Sequence, residues 1–310
     1  MINAIEVKDL TKNFGNLTAV KSISFEVKKG EFFGFLGPNG AGKTTTIRML
    51  TGIIKPSNGR ATIMGHDIEK QTLKAKKLMG IIPEISNAYM DLSGWRNMMF
   101  QGELYGLSRM KRYSLSTELL KEFELYGRRD QLVKFYSKGM KQRLIICLAL
   151  LNQPKILFLD EPTSGLDVNS TFIIREKLRN INAKGATIFL TTHNMEEAGQ
   201  LCERIAIINK GEIAAINSPE KLKLTVKGLQ SVVVAFDHDI EKDSLSDLQG
   251  VIQISKVGDK IKLFTKIPGK LIFSLVDYAR DKNLKILTLN VVTPTLEDVF
   301  LKLTKVKESL

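Results

Sequence analysis

Cysteine is nearly missing from this chain: Cys147 and Cys202 are the two among 310 residues, and neither sits in a CxxC pair or beside a histidine. That excludes a disulfide-stapled scaffold and a cysteine-held zinc module, and leaves two reduced thiols packed inside the fold. Long apolar runs are missing too. The longest, LIICLALL at 144–151, falls far short of the roughly 20 residues a bilayer-spanning helix needs, so no membrane span is expected. The opening MINAIEVKDL has no basic stretch followed by an apolar one, so no secretory signal is visible and a cytosolic address is the expectation. Acidic side chains are outnumbered, 33 Asp+Glu against 46 Lys+Arg, for a net charge of +13. A basic balance favours polyphosphate partners. Residues 226–310 carry 13 basic against 11 acidic side chains, so nearly all of the excess belongs to the first 225. There it is spread thinly, as in Lys28-Lys29, Lys74-Lys76-Lys77 and Arg128-Arg129, with no basic tail and no interleaved aromatics. These are solvated faces, and no nucleic-acid partner is expected.

What is present is an ordinary folded composition, 43% hydrophobic and 25% charged, in a chain long enough for one sizeable core and a smaller one. Residues 5–14 and 22–30 alternate apolar and polar positions and read as antiparallel strands. EFFGFLG at 31–37 reads as a strand buried on both faces, running straight into PNGAGKTTT and a helix that ends near Gly52. From about 73 to 132 the pattern reads as a helical insertion. Thereafter helices near 138–151, 173–183 and 195–202 alternate with the strands KILFLDEP, ATIFLTTH and RIAIINKG, which argues for a mostly parallel sheet. Past SPEKLK the texture changes to four more strands, SVVVAFD, VIQISKVGD, KIKLFTKI and ILTLNVV, with helices near 271–280 and 296–303. The expectation is an α/β core over residues 1–222, with an antiparallel β subdomain and a helical subdomain at about 84–150. A small α+β domain follows at 223–310, with an accessory or regulatory role.

GPNGAGKT at 37–44 satisfies G-x-x-x-x-G-K-[ST] between a predicted buried strand and a predicted helix, which identifies a phosphate-binding loop. Backbone N–H groups of Gly37, Pro38–Asn39–Gly40, Ala41 and Gly42, proline excepted, would point at phosphate oxygens, helped by the positive end of the helix. Lys43 would reach the β- and γ-phosphates. Thr44 would ligate Mg²⁺, and Thr45 would touch an adjacent phosphate. ILFLDEP ends an apolar strand in two carboxylates. This strand is expected beside the phosphate-loop strand, with Asp160 meeting Mg²⁺ and Glu161 polarising the attacking water. His193, one of three histidines, closes another strand and is expected at the same sheet edge; on its own it would read as a core histidine. In YSKGMKQR, Ser137 caps a helix and Gly139 follows. Hydroxyl, free N–H groups and helix dipole make a second anion site, of use only toward another chain's nucleotide.

This order of motifs resembles the nucleotide-binding subunit of an ATP-binding-cassette transporter, a P-loop NTPase, over residues 3 to about 220. GPNGAGKTT resembles the Walker A motif, ILFLDEP Walker B, YSKGMKQR the signature loop, SGLD at 164–167 the D-loop and His193 the switch histidine, while Phe14 matches the aromatic that stacks on adenine. The resemblance implies a head-to-tail dimer sandwiching two ATP molecules, in which Ser137 and Gly139 of one chain contact the γ-phosphate held by Lys43 of the other. It implies further a separate integral membrane permease, and a peripheral position at the inner face of the cell membrane. The two-part architecture is similar to the subgroup that drives export of drugs, lipids, polysaccharides or sodium.

Two positions depart from the family pattern. IIPEIS supplies Glu84 where the family has a Mg²⁺-sensing glutamine, and a carboxylate there can still serve Mg²⁺. The signature loop carries Lys138 and Met140 where the consensus has glycine and glutamine. Around 85–105, Trp95, Met98, Met99 and Phe100 read equally as a groove for a permease helix or as plain core. The rival reading, a soluble cassette ATPase acting on nucleic acid or ribosomes, rests on charge alone. Its relatives carry paired cassettes or long coiled-coil insertions, and neither is visible here. A non-hydrolysing scaffold is opposed by Asp160, Glu161 and His193.

Overall fold

The computed structural model describes residues 3–84, 88–225, 230–292 and 294–305. The chain divides after Ser218 into two compact units, Met1–Ser218 and Pro219–Leu310.

The first unit begins with two long antiparallel strands, β1 (Asn3–Phe14) and β2 (Leu17–Lys28). Their alternating side chains put Ile5, Val7, Leu10, Val20, Ile23, Phe25 and Val27 inside, as a half-buried sheet requires. After β3 (Phe32–Leu36) and α1 (Lys43–Leu50), the short strands β4 (Asn58–Ile63) and β5 (His66–Asp67) extend that sheet in the order β2-β1-β4-β5. β4 and β5 carry too few apolar residues to be legible in the sequence.

A six-stranded sheet packs beneath it. Between α2 (Thr72–Lys76) and the helices α3 (Gly94–Leu104) and α4 (Arg109–Glu122) lies β6 (Met79–Ile82). The uniformly helical reading of 73–132 is therefore corrected: four apolar residues, MGII, cannot be told from a helix turn by periodicity. α5 (Lys138–Leu150), β7 (Ile156–Asp160), α6 (Val168–Ala183), β8 (Thr187–Thr192), α7 (Met195–Leu201), β9 (Arg204–Asn209) and β10 (Glu212–Asn217) complete the unit. The sheet order is β10-β9-β3-β8-β7-β6, parallel from β9 to β6.

That order corrects a second expectation. β7 does not lie beside β3; β8 lies between them. Buried apolar runs announce central strands, but crossover connections decide which strands are neighbours, and sequence order does not encode that choice. Every residue of β3, β7 and β8 is buried, and Phe33, Phe35 and Phe158 surround Phe189 at ring-centroid distances of 5.8, 5.5 and 5.6 Å. Register pairs Leu36 with Thr192 and Asp160 with Thr191, so the three strands end level at one edge. Ligand sites of open parallel sheets form at such an edge.

The second unit starts with α8 (Pro219–Thr225) and builds an antiparallel sheet from β11 (Gln230–Phe236), β12 (Val251–Val257), β13 (Lys260–Thr265) and β14 (Ile286–Val292), ordered β12-β13-β11-β14. α9 (Pro268–Asp281) lays Leu271, Leu275 and Ala279 on Val232, Val234, Ile261 and Leu263, and α10 (Leu296–Lys305) ends the chain's described part. This unit has its own apolar core. Among the described residues of the whole chain, no helix is long and apolar enough to cross a membrane.

Candidate functional site

At the level strand ends, the loop between β3 and α1 wraps a buried ammonium. Gly42, the residue before α1, has φ +107, and a Cβ there would come within 2.8 Å of the Ala19 carbonyl oxygen. Only glycine fits this turn. Lys43 is 6% exposed, and its Nζ donates to the carbonyl oxygens of Gly37 at 2.8 Å and Pro38 at 3.2 Å. The same Nζ faces Glu161 Oε1 at 3.2 Å.

Glu161 follows the last residue of β7, with φ +50, a left-handed conformation that costs a non-glycine residue energy. Neighbours hold it there. Its N–H donates to the Thr191 carbonyl at 3.0 Å, and its own carbonyl accepts from the Ser164 N–H at 3.2 Å. Its Oε2 lies 2.8 Å from His193 Nδ1 and accepts from the His193 backbone N–H at 3.3 Å. Oε1 has no hydrogen-bond partner of good geometry among the described residues, although buried and beside the Lys43 ammonium. His193 is half exposed rather than the satisfied core residue that an isolated reading would favour.

A cleft of about 490 Å³ opens over this group, lined by Phe14, Leu17, Ala19, Asn39, Gly40, Gly42, Lys43, Thr44, Thr45, Glu84, Glu161, Ser164 and His193. Ten of the residues expected from the sequence thus meet in one place. Phe14 is half exposed at its rim, available to stack a flat base, with Lys12 Nζ 5.2 Å from the ring centroid. A buried cation, glycine-loop amides and an apolar rim suit a nucleoside polyphosphate.

Gly37, Pro38 and Ala41 belong to the loop but do not line the cleft. Neither does Asp160, which is buried behind it with Oδ1 accepting from the Thr191 hydroxyl at 2.5 Å. Thr191 left no mark in the sequence, because its role depends on β8 lying between β3 and β7. Hydroxyl and carboxylate oxygens of Thr44, Asp160 and Glu84 are hard donors of the kind Mg²⁺ takes. Among the described residues no cluster of three or more His, Cys, Asp or Glu side chains could hold a metal alone.

Ser137 and Gly139 are elsewhere. Ser137 caps α5, its hydroxyl accepting from the Met140 N–H at 3.2 Å. Gly139 lies where α5 meets the start of α6: a Cβ there would sit 2.1 Å from Ser170 Oγ. Of the apolar group in α3, Met98 is fully buried whereas Phe100 is exposed, edge-on to Tyr89 at 5.3 Å. Residues 85–87 of that segment lie outside the described residues.

Residues 20–164 match the ABC transporter family. The chain is 36% identical to the linearmycin resistance ATP-binding protein LnrL of Bacillus subtilis, with 97% of this chain and 98% of the relative covered. The chain belongs to the ABC transporter family. It is likewise 36% identical to the Nod factor export ATP-binding protein I of a Rhizobium species, over 97% of each chain. The dimeric ATP-binding cassette MJ0796, solved in a post-hydrolysis state with ADP and phosphate, superposes with a TM-score of 0.64 at 26% identity, covering 69% of this chain and 98% of that one. The ABC subunit described here is accordingly an ATP-binding P-loop enzyme that hydrolyses ATP to power transport.

Proposed function

We propose that the cleft around Lys43 binds ATP with Mg²⁺, and that the subunit drives export through a separate membrane permease, docked at the inner face of the cell membrane. The observation that carries the site reading is the meeting of Lys43, Glu161 and His193, with Glu161 bridging the other two at 3.2 and 2.8 Å. Lys43 and the loop amides hold the β- and γ-phosphates. Phe14 stacks on adenine. Thr44 and Asp160 would hold Mg²⁺, with Glu84 facing the same ion, and the ion would supply charge neutralisation at the phosphates.

Glu161 acts as general base, taking a proton from the water that attacks the γ-phosphorus while the bond from that phosphorus to the β,γ-bridging oxygen breaks and ADP leaves. A carboxylate lining the cleft beside the Lys43 ammonium supplies the acceptor this step needs. His193 fixes the rotamer of Glu161 through Oε2. Ser137 and Gly139, which do not line this cleft, would contact a second copy's nucleotide, so that two chains close head to tail around two ATP molecules. The dimeric cassette among the solved relatives supports that arrangement, and the relatives named for Nod factor export and linearmycin resistance support the export direction. The permease would dock near Tyr89 and Phe100, whose rings are exposed beside α3.

Two variants test the site. Lys43→Ala should abolish nucleotide binding, measured with a fluorescent ATP analogue. Glu161→Gln should keep binding and lose at least about 100-fold in turnover, the usual worth of a positioned base. Full turnover in Glu161→Gln would remove Glu161 from the mechanism.

A further inference from the structure

Behind the cleft lies a second buried carboxylate that the hydrolysis scheme does not use. Glu197, in the first turn of α7 and four residues past His193, has no exposed surface. Its Oε1 accepts from the Thr163 hydroxyl at 2.6 Å and from Arg175 Nε at 3.3 Å. Its Oε2 has no hydrogen-bond partner among the described residues. Each contact reaches a different element. Thr163 stands two residues after Glu161, in the turn where the Thr163 carbonyl also accepts from the Leu166 N–H at 3.2 Å. Arg175 stands on α6, and its Nη1 donates to the Gln200 side chain at 3.4 Å. Asn194, next to His193, caps α7 by accepting from the Glu197 N–H at 3.0 Å.

A buried charge left half satisfied is a poor way to gain stability, because desolvation opposes the ion pair. It is a good way to fix geometry. Glu197 ties the turn leaving Glu161 to the helix that follows His193 without lining the cleft, whereas Glu161 and His193 themselves line it.

We infer that Glu197 is a positioning residue for hydrolysis: through Thr163 on one side and its own helix on the other, it sets the spacing of Glu161 and His193. This rests on the roles proposed above for those two residues. Misplacing a catalytic group by a fraction of an ångström lowers the rate of the chemical step and leaves substrate binding alone.

The decisive variant is Thr163→Val, which is isosteric and deletes one bond to Glu197. In the full chain it should lower kcat for ATP by about 10- to 100-fold and keep KM within about twofold, with a drop in melting temperature from the lost bond to a buried carboxylate that leaves the protein folded at the assay temperature. Thr163→Ser restores the hydroxyl and should return kcat. Glu197→Ala should lose as much as Thr163→Val, and the double variant no more than Glu197→Ala. Should Glu197→Ala fail to fold, the Thr163 pair decides alone. Unchanged kcat in Thr163→Val, or a loss that Thr163→Ser fails to restore, overturns the proposal. Glu161→Gln run in parallel separates the two readings: if it still turns over, the site assignment falls and this inference with it. If it is dead while Thr163→Val is fully active, only the role of Glu197 falls.

Discussion

At the scale of single residues, the cleft was legible because phosphate binding demands unusual amino acids at fixed spacing. A glycine-rich turn before Lys43-Thr44 and a pair of carboxylates closing an apolar strand seldom coincide by chance. Residues whose task is to hold others were not legible. Thr191 steadies Asp160, and Thr163 and Arg175 engage Glu197, through contacts 22 to 34 positions apart in the chain, and nothing in their local sequence signals it. Phe14 offers a test at this scale. With a half-exposed ring at the cleft rim, Phe14→Ala should weaken nucleotide binding by about 1–3 kcal/mol, the range of base–aromatic stacking, while Phe14→Trp should retain it. Binding titrations with ATP and with inorganic triphosphate check this, because only the first should respond.

At the scale of elements, the N-termini of α5 and α6 press against each other, and the helix caps carry the predictions. Gly139→Ala drives a methyl into the space of Ser170, with Cβ to Oγ at 2.1 Å and Cβ to Cβ at 2.7 Å. Overpacking of this kind costs about 1–3 kcal/mol, to be read from the denaturant midpoint. Asp167 caps α6, accepting from the Ser170 N–H at 2.8 Å and the Ser170 hydroxyl at 2.7 Å. These bonds, the backbone one foremost, hold its carboxyl below the ordinary aspartate range. With the folded pKa below the unfolded value of about 3.9, this contribution is complete above that value and fades as pH falls through the folded one. Asp167→Asn keeps a capping oxygen without the titration. It should match the parent near neutral pH and show a shallower fall of melting temperature below about pH 4. Element type was readable wherever burial is uniform or alternating, as in β3 and β8. β6 escaped because a four-residue apolar stretch carries no period.

At the scale of the whole molecule, the described residues include an apolar core running through the two sheets of Met1–Ser218 and another beneath α9. Residues 219–310 made alone should therefore give a single cooperative unfolding transition, followed by far-UV circular dichroism. A non-cooperative melt would mean that this core is completed by something outside it. The division after Ser218 falls at SPEKLK, the stretch where the texture of the sequence changes from alternating strands and helices to a run of short strands.

Chemistry that depends on neighbours in the chain, such as loop amides before a helix or acids ending a strand, is written in consecutive residues and can be read without coordinates. The order of strands is not so written. β8 separates β3 from β7, and from that single arrangement follow the level ends of the three strands, the Thr191–Asp160 bond and the approach of His193 to Glu161. Crossovers of similar length can place a buried apolar strand at more than one site in a sheet. The winner is set by how the whole set of side chains packs, with Phe189 at the centre of its aromatic neighbours, and that is a property of the folded chain rather than of any segment.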